Sequence, residues 1–151
     1  MPIDFDANRW DQVRETYRRW WAGELDRPII PVELEGRDPG RPMPDVPMLN
    51  QAICADFSYS PEQLIDRIDY ELERKVYLGD AFPWFNMDVF GPGVAAAFMG
   101  ARLDNSSGRV WFWPPEDVPI TDIHLEYDPN NPWLKRLKDL CAAARVLTAI
   151  R

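Results

Sequence analysis

Cysteine and histidine are scarce in this chain: Cys54, Cys141 and His124 are the whole supply in 151 residues. Two cysteines so far apart make neither a disulfide framework nor a metal or redox motif, so a reducing, cytoplasmic setting is expected. His124 sits between Ile123 and Leu125 with no cysteine or carboxylate at a persuasive ligand spacing, so no metal site is expected around it. Long apolar runs are missing as well. No stretch approaches the roughly 20 residues of a membrane span, and no early segment has the basic start, apolar middle and cleavage site of a secretion signal. The expectation is a soluble, intracellular protein without a membrane partner. A serine nucleophile elbow, a phosphate-binding loop, a dinucleotide fingerprint and internal repeats are all lacking.

Positive charge is also in deficit. Lysine and arginine number 17 against 25 aspartates and glutamates, a net charge of -8. A nucleic acid would be repelled over most of such a surface, so no nucleic-acid partner is expected and any anion site must be a local basic pocket. What the chain does hold is 46% hydrophobic residues, enough for one ordinary core in a single domain. Seven tryptophans, seven phenylalanines and fifteen prolines fall largely in connecting segments, where aromatic side chains commonly line a ligand, a partner or an unfinished core.

The periodic segments predict alternating helices and strands. Trp10, Val13, Tyr17, Trp20 and Trp21 recur at helical spacing between a cap at Asp6 and a stop at Gly23. A strand follows over Pro28 to Leu34. After it comes Arg37-Asp38-Pro39-Gly40-Arg41-Pro42-Met43-Pro44-Asp45, which sets two guanidinium groups four residues apart on a stiffened loop. Such forks suit carboxylates or phosphates, although Glu33, Glu35, Asp38 and Asp45 could equally balance them on a solvated loop.

Ser60-Pro61-Glu62-Gln63 is a helix start with a capping box, and Leu64, Ile65, Ile68, Leu72 and Val76 give that helix an apolar face up to Gly79. Asp80 to Asp88 reads as a second extended segment with its polar groups at the far end. Gly91-Pro92-Gly93 predicts a turn into a short small-residue helix ending near Gly100. Arg109 to Trp113 predicts a hairpin or edge strand stopped by Pro114-Pro115, and Asp117 to Tyr127 another extended piece. A last helix starts at Asn131-Pro132, with Cys141 on its core face beside Leu134, Leu137, Leu140, Ala144 and Leu147.

The order of these elements, with Pro31-Val32, Arg37, Gly40, Arg41, Pro44-Asp45, Asp80-Ala81, Phe85 and Asp88, resembles the uroporphyrinogen decarboxylase superfamily, which also contains corrinoid-linked methyltransferases. The run from Val110-Trp111-Phe112 to Asp128-Pro129-Asn130-Asn131-Pro132-Trp133 is most similar to its decarboxylase-like branch. The resemblance implies an α/β fold, the opening portion of a TIM-type (β/α)₈ barrel, incomplete in this chain because a full barrel takes about 250 residues. It implies that Arg37 and Arg41 bind substrate carboxylates and that Asp88 is the catalytic acceptor for pyrrole N–H groups. Asn86 or Met87 takes that place if the extra residue counted after Asp80-Ala81 is misplaced. No cofactor is implied for decarboxylation.

The ligand class implied is an anionic tetrapyrrole or a corrinoid-related molecule. A partial barrel exposes strand edges and apolar surface, so a homo-oligomer or pairing with the missing C-terminal part is expected. The alternative is a non-enzymatic acidic binding or oligomerisation domain whose likeness to the family is ancestral.

Overall fold

The computed structural model describes residues 3–86, 90–91, 93–107, 109–117, 119–122 and 126–149. It is a mixed α/β structure whose described strands form two small antiparallel sheets, with no barrel among them. The elements in chain order are α1 (Ala7–Trp21), β1 (Pro31–Glu35), α2 (Gln51–Ala55), α3 (Pro61–Glu73), β2 (Lys75–Gly79), α4 (Val94–Phe98), β3 (Arg102–Asp104), β4 (Trp111–Trp113), a 3₁₀ turn at Ile120–Asp122, and α5 (Pro132–Ala149). They fall into two compact units. One holds Met1–Pro44 and Ile68–Phe85, the other Asp45–Arg67 and Asn86–Arg151.

In the first unit α1 begins where its sequence says it should. Asp6 is extended, and its carboxylate accepts the Arg9 amide at 2.8 Å, satisfying one of the helix's unpaired N–H groups. Gly23, at φ +71°, supplies the left-handed residue just past the end. Val13 is the buried residue of this helix, while Trp20 and Trp21 remain exposed.

The helix expected to run to Gly79 stops at Glu73, and the next residues pair with β1 in the register Val32↔Leu78, Glu33↔Tyr77, Leu34↔Val76. Val76 fits a helical stripe and a strand alternation equally well. Hydrogen bonding to β1 decides for the strand, where β-branched and aromatic side chains fit best. One face of this ribbon carries Val32, Leu34, Val76 and Leu78. The other carries Glu33, Glu35, Lys75 and Tyr77, with Lys75 and Glu33 2.6 Å apart. Every residue of β1 is exposed. β1 is also shorter at its start than expected, and residues 81–86 form no strand.

In the second unit α3 starts with the capping box read from sequence: Ser60 Oγ accepts the Gln63 amide, and Gln63 Oε1 accepts the Ser60 amide at 2.8 Å. Helix α5 starts at Asn131, whose side-chain oxygen accepts the amides of Trp133 and Leu134 while its Nδ2 donates to the Ala97 carbonyl. That last bond explains why an asparagine cap is buried. Leu64, Phe90 and Leu140 are fully buried.

The expected turn into α4 is present, and Gly93 lies so close to the Phe112 ring that a β-carbon there would displace it. β4 falls in the segment expected to be a hairpin or edge strand, and it pairs antiparallel with β3, a strand not expected from sequence, Leu103 opposite Phe112. Cys141 is exposed rather than on the core side of α5, so its place in the helical stripe misassigns it; Cys54 is the buried thiol. Between Asp117 and Tyr127 the described residues contain only the 3₁₀ turn, and His124 lies outside them.

Candidate functional site

Helix α3 ends in an electrostatic difficulty. Its last turn contains Glu71 and Glu73 and no basic residue, although a helix C-terminus carries partial negative charge and unpaired carbonyls. Asp69 and Glu73, four apart, lie on one face and are both buried. Two buried carboxylates in that position require cations.

The arginine loop supplies them. Arg41 Nε donates to Glu73 Oε2 at 2.6 Å and its Nη2 to Asp69 Oδ2 at 3.1 Å, with the guanidinium 5.3 Å from the centre of the Tyr70 ring. Arg37 Nη1 donates to the Glu73 carbonyl at 3.0 Å, and the amides of Gly36 and Arg37 both donate to the Arg74 carbonyl. Asp38 shapes the loop between them by accepting the Gly40 amide at 2.8 Å. Gly40 takes φ +71°.

The two candidate arginines are therefore brought together on one helix end, by a route that neighbouring charges in sequence do not disclose. Glu33, Glu35 and Asp45 do not bind them through any ion pair the structure shows; Glu33 pairs with Lys75. The Arg41 side chain keeps 27% of its surface exposed. Chemically this is a rigid bidentate cation whose carboxylate partners come from the protein itself.

Asn86 is exposed and begins the later segment of the second unit. Asp88 lies outside the described residues.

A second ionic cluster escaped the sequence reading. Asp80, buried, accepts both terminal nitrogens of Arg27 at 2.6 and 2.7 Å and the Ile30 amide at 2.8 Å. The Arg27 hydrogen bond is the largest cause holding its pKa down to about 2, against the opposing effect of burial. The available signal was positional: an arginine just before a strand and an aspartate just after the glycine that ends its partner.

Cys54 is inert by environment, since burial pushes its thiol up to about 11, and the carbonyl of the same residue accepts a bond from buried Arg136. Among the described residues no group of three His, Cys, Asp or Glu side chains could hold a metal ion, and no helix is long and apolar enough to cross a membrane. No protein-family model matches the chain, and no curated protein or solved structure matches it.

Proposed function

We propose that this chain is the N-terminal segment of a uroporphyrinogen decarboxylase-like enzyme, a carboxy-lyase acting on a polycarboxylated tetrapyrrole or a related corrinoid-linked methyltransferase. In this reading it is the opening portion of a (β/α)₈ barrel and is not catalytically complete alone. The observation that carries it is the convergence of Arg37 and Arg41 on Glu73, which holds two forks on one stiff loop with Arg41 still in touch with solvent. An incoming substrate carboxylate exchanges with Asp69 or Glu73 for the Arg41 donors, and Arg37 gives the loop its fixed end. Asp88, or Asn86 if the gap after Asp80-Ala81 falls elsewhere, is the acceptor for pyrrole N–H groups, which want one anionic or carbonyl oxygen. β1 and β2 pair antiparallel, unlike the parallel strands of such a barrel, so this ribbon lends the barrel no support.

The test is titration of the chain with a polycarboxylated porphyrin, a stable stand-in for the reduced tetrapyrrole. Arg37→Ala and Arg41→Ala are each expected to weaken binding by roughly 1.5–3 kcal/mol, the scale of a charge-assisted hydrogen bond. Equal affinity in wild type and both variants removes the carboxylate clamp.

One observation favours a second reading, an acidic assembly domain without catalysis: β1 is exposed along its whole length, with Val32 and Leu34 uncovered. Light scattering separates the two. A discrete oligomer that ignores the porphyrin supports assembly.

A further inference from the structure

The first unit contains a cleft of about 530 Å³ whose chemistry differs from that of the arginine loop. Its polar wall is made by Arg9, Gln12 and Thr16, one face of α1, together with Arg27. Its apolar wall is Val13, Ile30 and Val32.

Arg27 is committed to Asp80, so that pair contributes no net charge. Arg9 differs. Its Nη1 donates to Gln12 Oε1 at 3.3 Å and its Nη2 to the Gly79 carbonyl, both neutral acceptors, and it forms no ion pair among the described residues. Of the lining side chains, then, two are cationic and one is anionic, a local excess of one positive charge in a chain of net charge -8. Asp80, the acid lining the cleft, also feels the Arg9 charge, while Asp26, a minor influence on Arg27, does not line the cleft.

The apolar wall is equally unusual. Ile30 is 55% and Val32 38% exposed, although both are β-branched aliphatic residues beside or within a strand. Small-molecule sites combine such apolar lining with a few convergent polar groups. A guanidinium whose hydrogen bonds go to neutral acceptors, a hydroxyl and an amide beside uncovered aliphatic carbons match one ligand shape, a carboxylate head on an aliphatic body.

The corner that builds the cleft is rigid. Gly79 adopts φ +58° with no room for a β-carbon beside the Ile30 carbonyl, and the Asp80 amide donates back to that carbonyl at 3.0 Å. This fixes the Gly79 oxygen that holds Arg9 and the carboxylate that holds Arg27.

We infer that this cleft binds a small aliphatic monocarboxylate, with Arg9 and Thr16 on the carboxylate and Ile30 and Val32 against the chain. The site is independent of Arg37 and Arg41.

The experiment is calorimetric titration of the chain with octanoate at low ionic strength, repeated with 1-octanol and with inorganic phosphate. Saturable octanoate binding is expected, about tenfold weaker in Arg9→Gln and unchanged in Arg102→Ala, an exposed arginine in the other unit. Thr16→Val is a second variant should Arg9→Gln fail to fold, and it is expected to weaken binding severalfold. The inference is overturned by no saturable octanoate binding by the wild type, by equal affinity in the variants, or by equal binding of 1-octanol. Phosphate binding as tightly as octanoate overturns it too, because the aliphatic wall then plays no part.

Discussion

Arg41 Nε and Glu73 Oε2 are 2.6 Å apart, and this bond joins the arginine loop to a helix face that also carries the buried carboxylate of Asp69. Like charges four apart on a helix repel, more so when buried, and the shared guanidinium reverses that repulsion.

Arg41→Ala is therefore expected to destabilise the fold by about 2–4 kcal/mol, beyond any effect on a ligand. Adding Glu73→Gln should recover part of the loss. A double-mutant cycle by urea denaturation should give a coupling of about 1–3 kcal/mol. Strict additivity of the two substitutions would show that the contact contributes nothing.

The Asp80 pair predicts a dependence on acid. Its folded pKa, about 2, lies below the ordinary 3.8, so its stabilisation is complete above the ordinary value and is lost as pH falls through about 2. The Arg27 side chain is 47% exposed, so screening by water limits the contribution to about 1–2 kcal/mol. Asp80→Asn should remove this component and flatten stability between those two pH values. Parallel acid profiles for wild type and variant would refute the assignment.

Gly79→Ala is expected to cost about 2 kcal/mol or more, since it forces an alanine to φ +58° and drives its methyl into the Ile30 carbonyl oxygen. Gly23→Ala separates the two causes. That position is also left-handed, at φ +71°, but has open space around it, so only the backbone cost of about 1 kcal/mol applies. Chemical denaturation of both variants should show the larger loss at position 79.

Arg136 is buried and donates to the carbonyls of Cys54, Asp56 and Tyr59, with its guanidinium 5.2 Å from the Phe57 ring centre. One flat fork serves the whole turn between α2 and α3. Arg136→Met should cost about 2–4 kcal/mol, because several acceptors lose their donor at once. Arg136→Lys should restore little of it, a lysine being a point charge without the fork. Faster amide exchange across residues 50–60 in the methionine variant is the local signature; unchanged exchange would contradict the role.

Legibility followed the range of each interaction. The starts of α1, α3 and α5 could be read because their caps lie within three residues of the amides they satisfy, as Asp6, Ser60 and Asn131 show. The strand character of the β4 segment was equally local, whereas its partner β3 was not read. The end of α3 was not legible: Val76 fits either periodicity, and the bonds that choose the strand come from residues some forty positions earlier. The same holds for the candidate site. Sequence marked Arg37 and Arg41 as a pair of forks, but the Asp69 and Glu73 carboxylates that Arg41 holds and the Glu73 carbonyl that Arg37 holds lie 28 to 36 residues away, and Arg27 finds Asp80 53 positions on.

By itself, then, the amino-acid order determined where α1, α3 and α5 begin, which residues carry donor forks and how acidic the surroundings are, because each of these is set by one residue and its near neighbours. The tertiary structure decided which carboxylate each arginine holds, that Cys141 faces solvent, and that Arg9 meets a carbonyl instead of an acid. The arginine partners depend on long-range pairing of β1 with β2, whose register no local preference specifies, and the exposure of Cys141 depends on which side of α5 packs within its own unit.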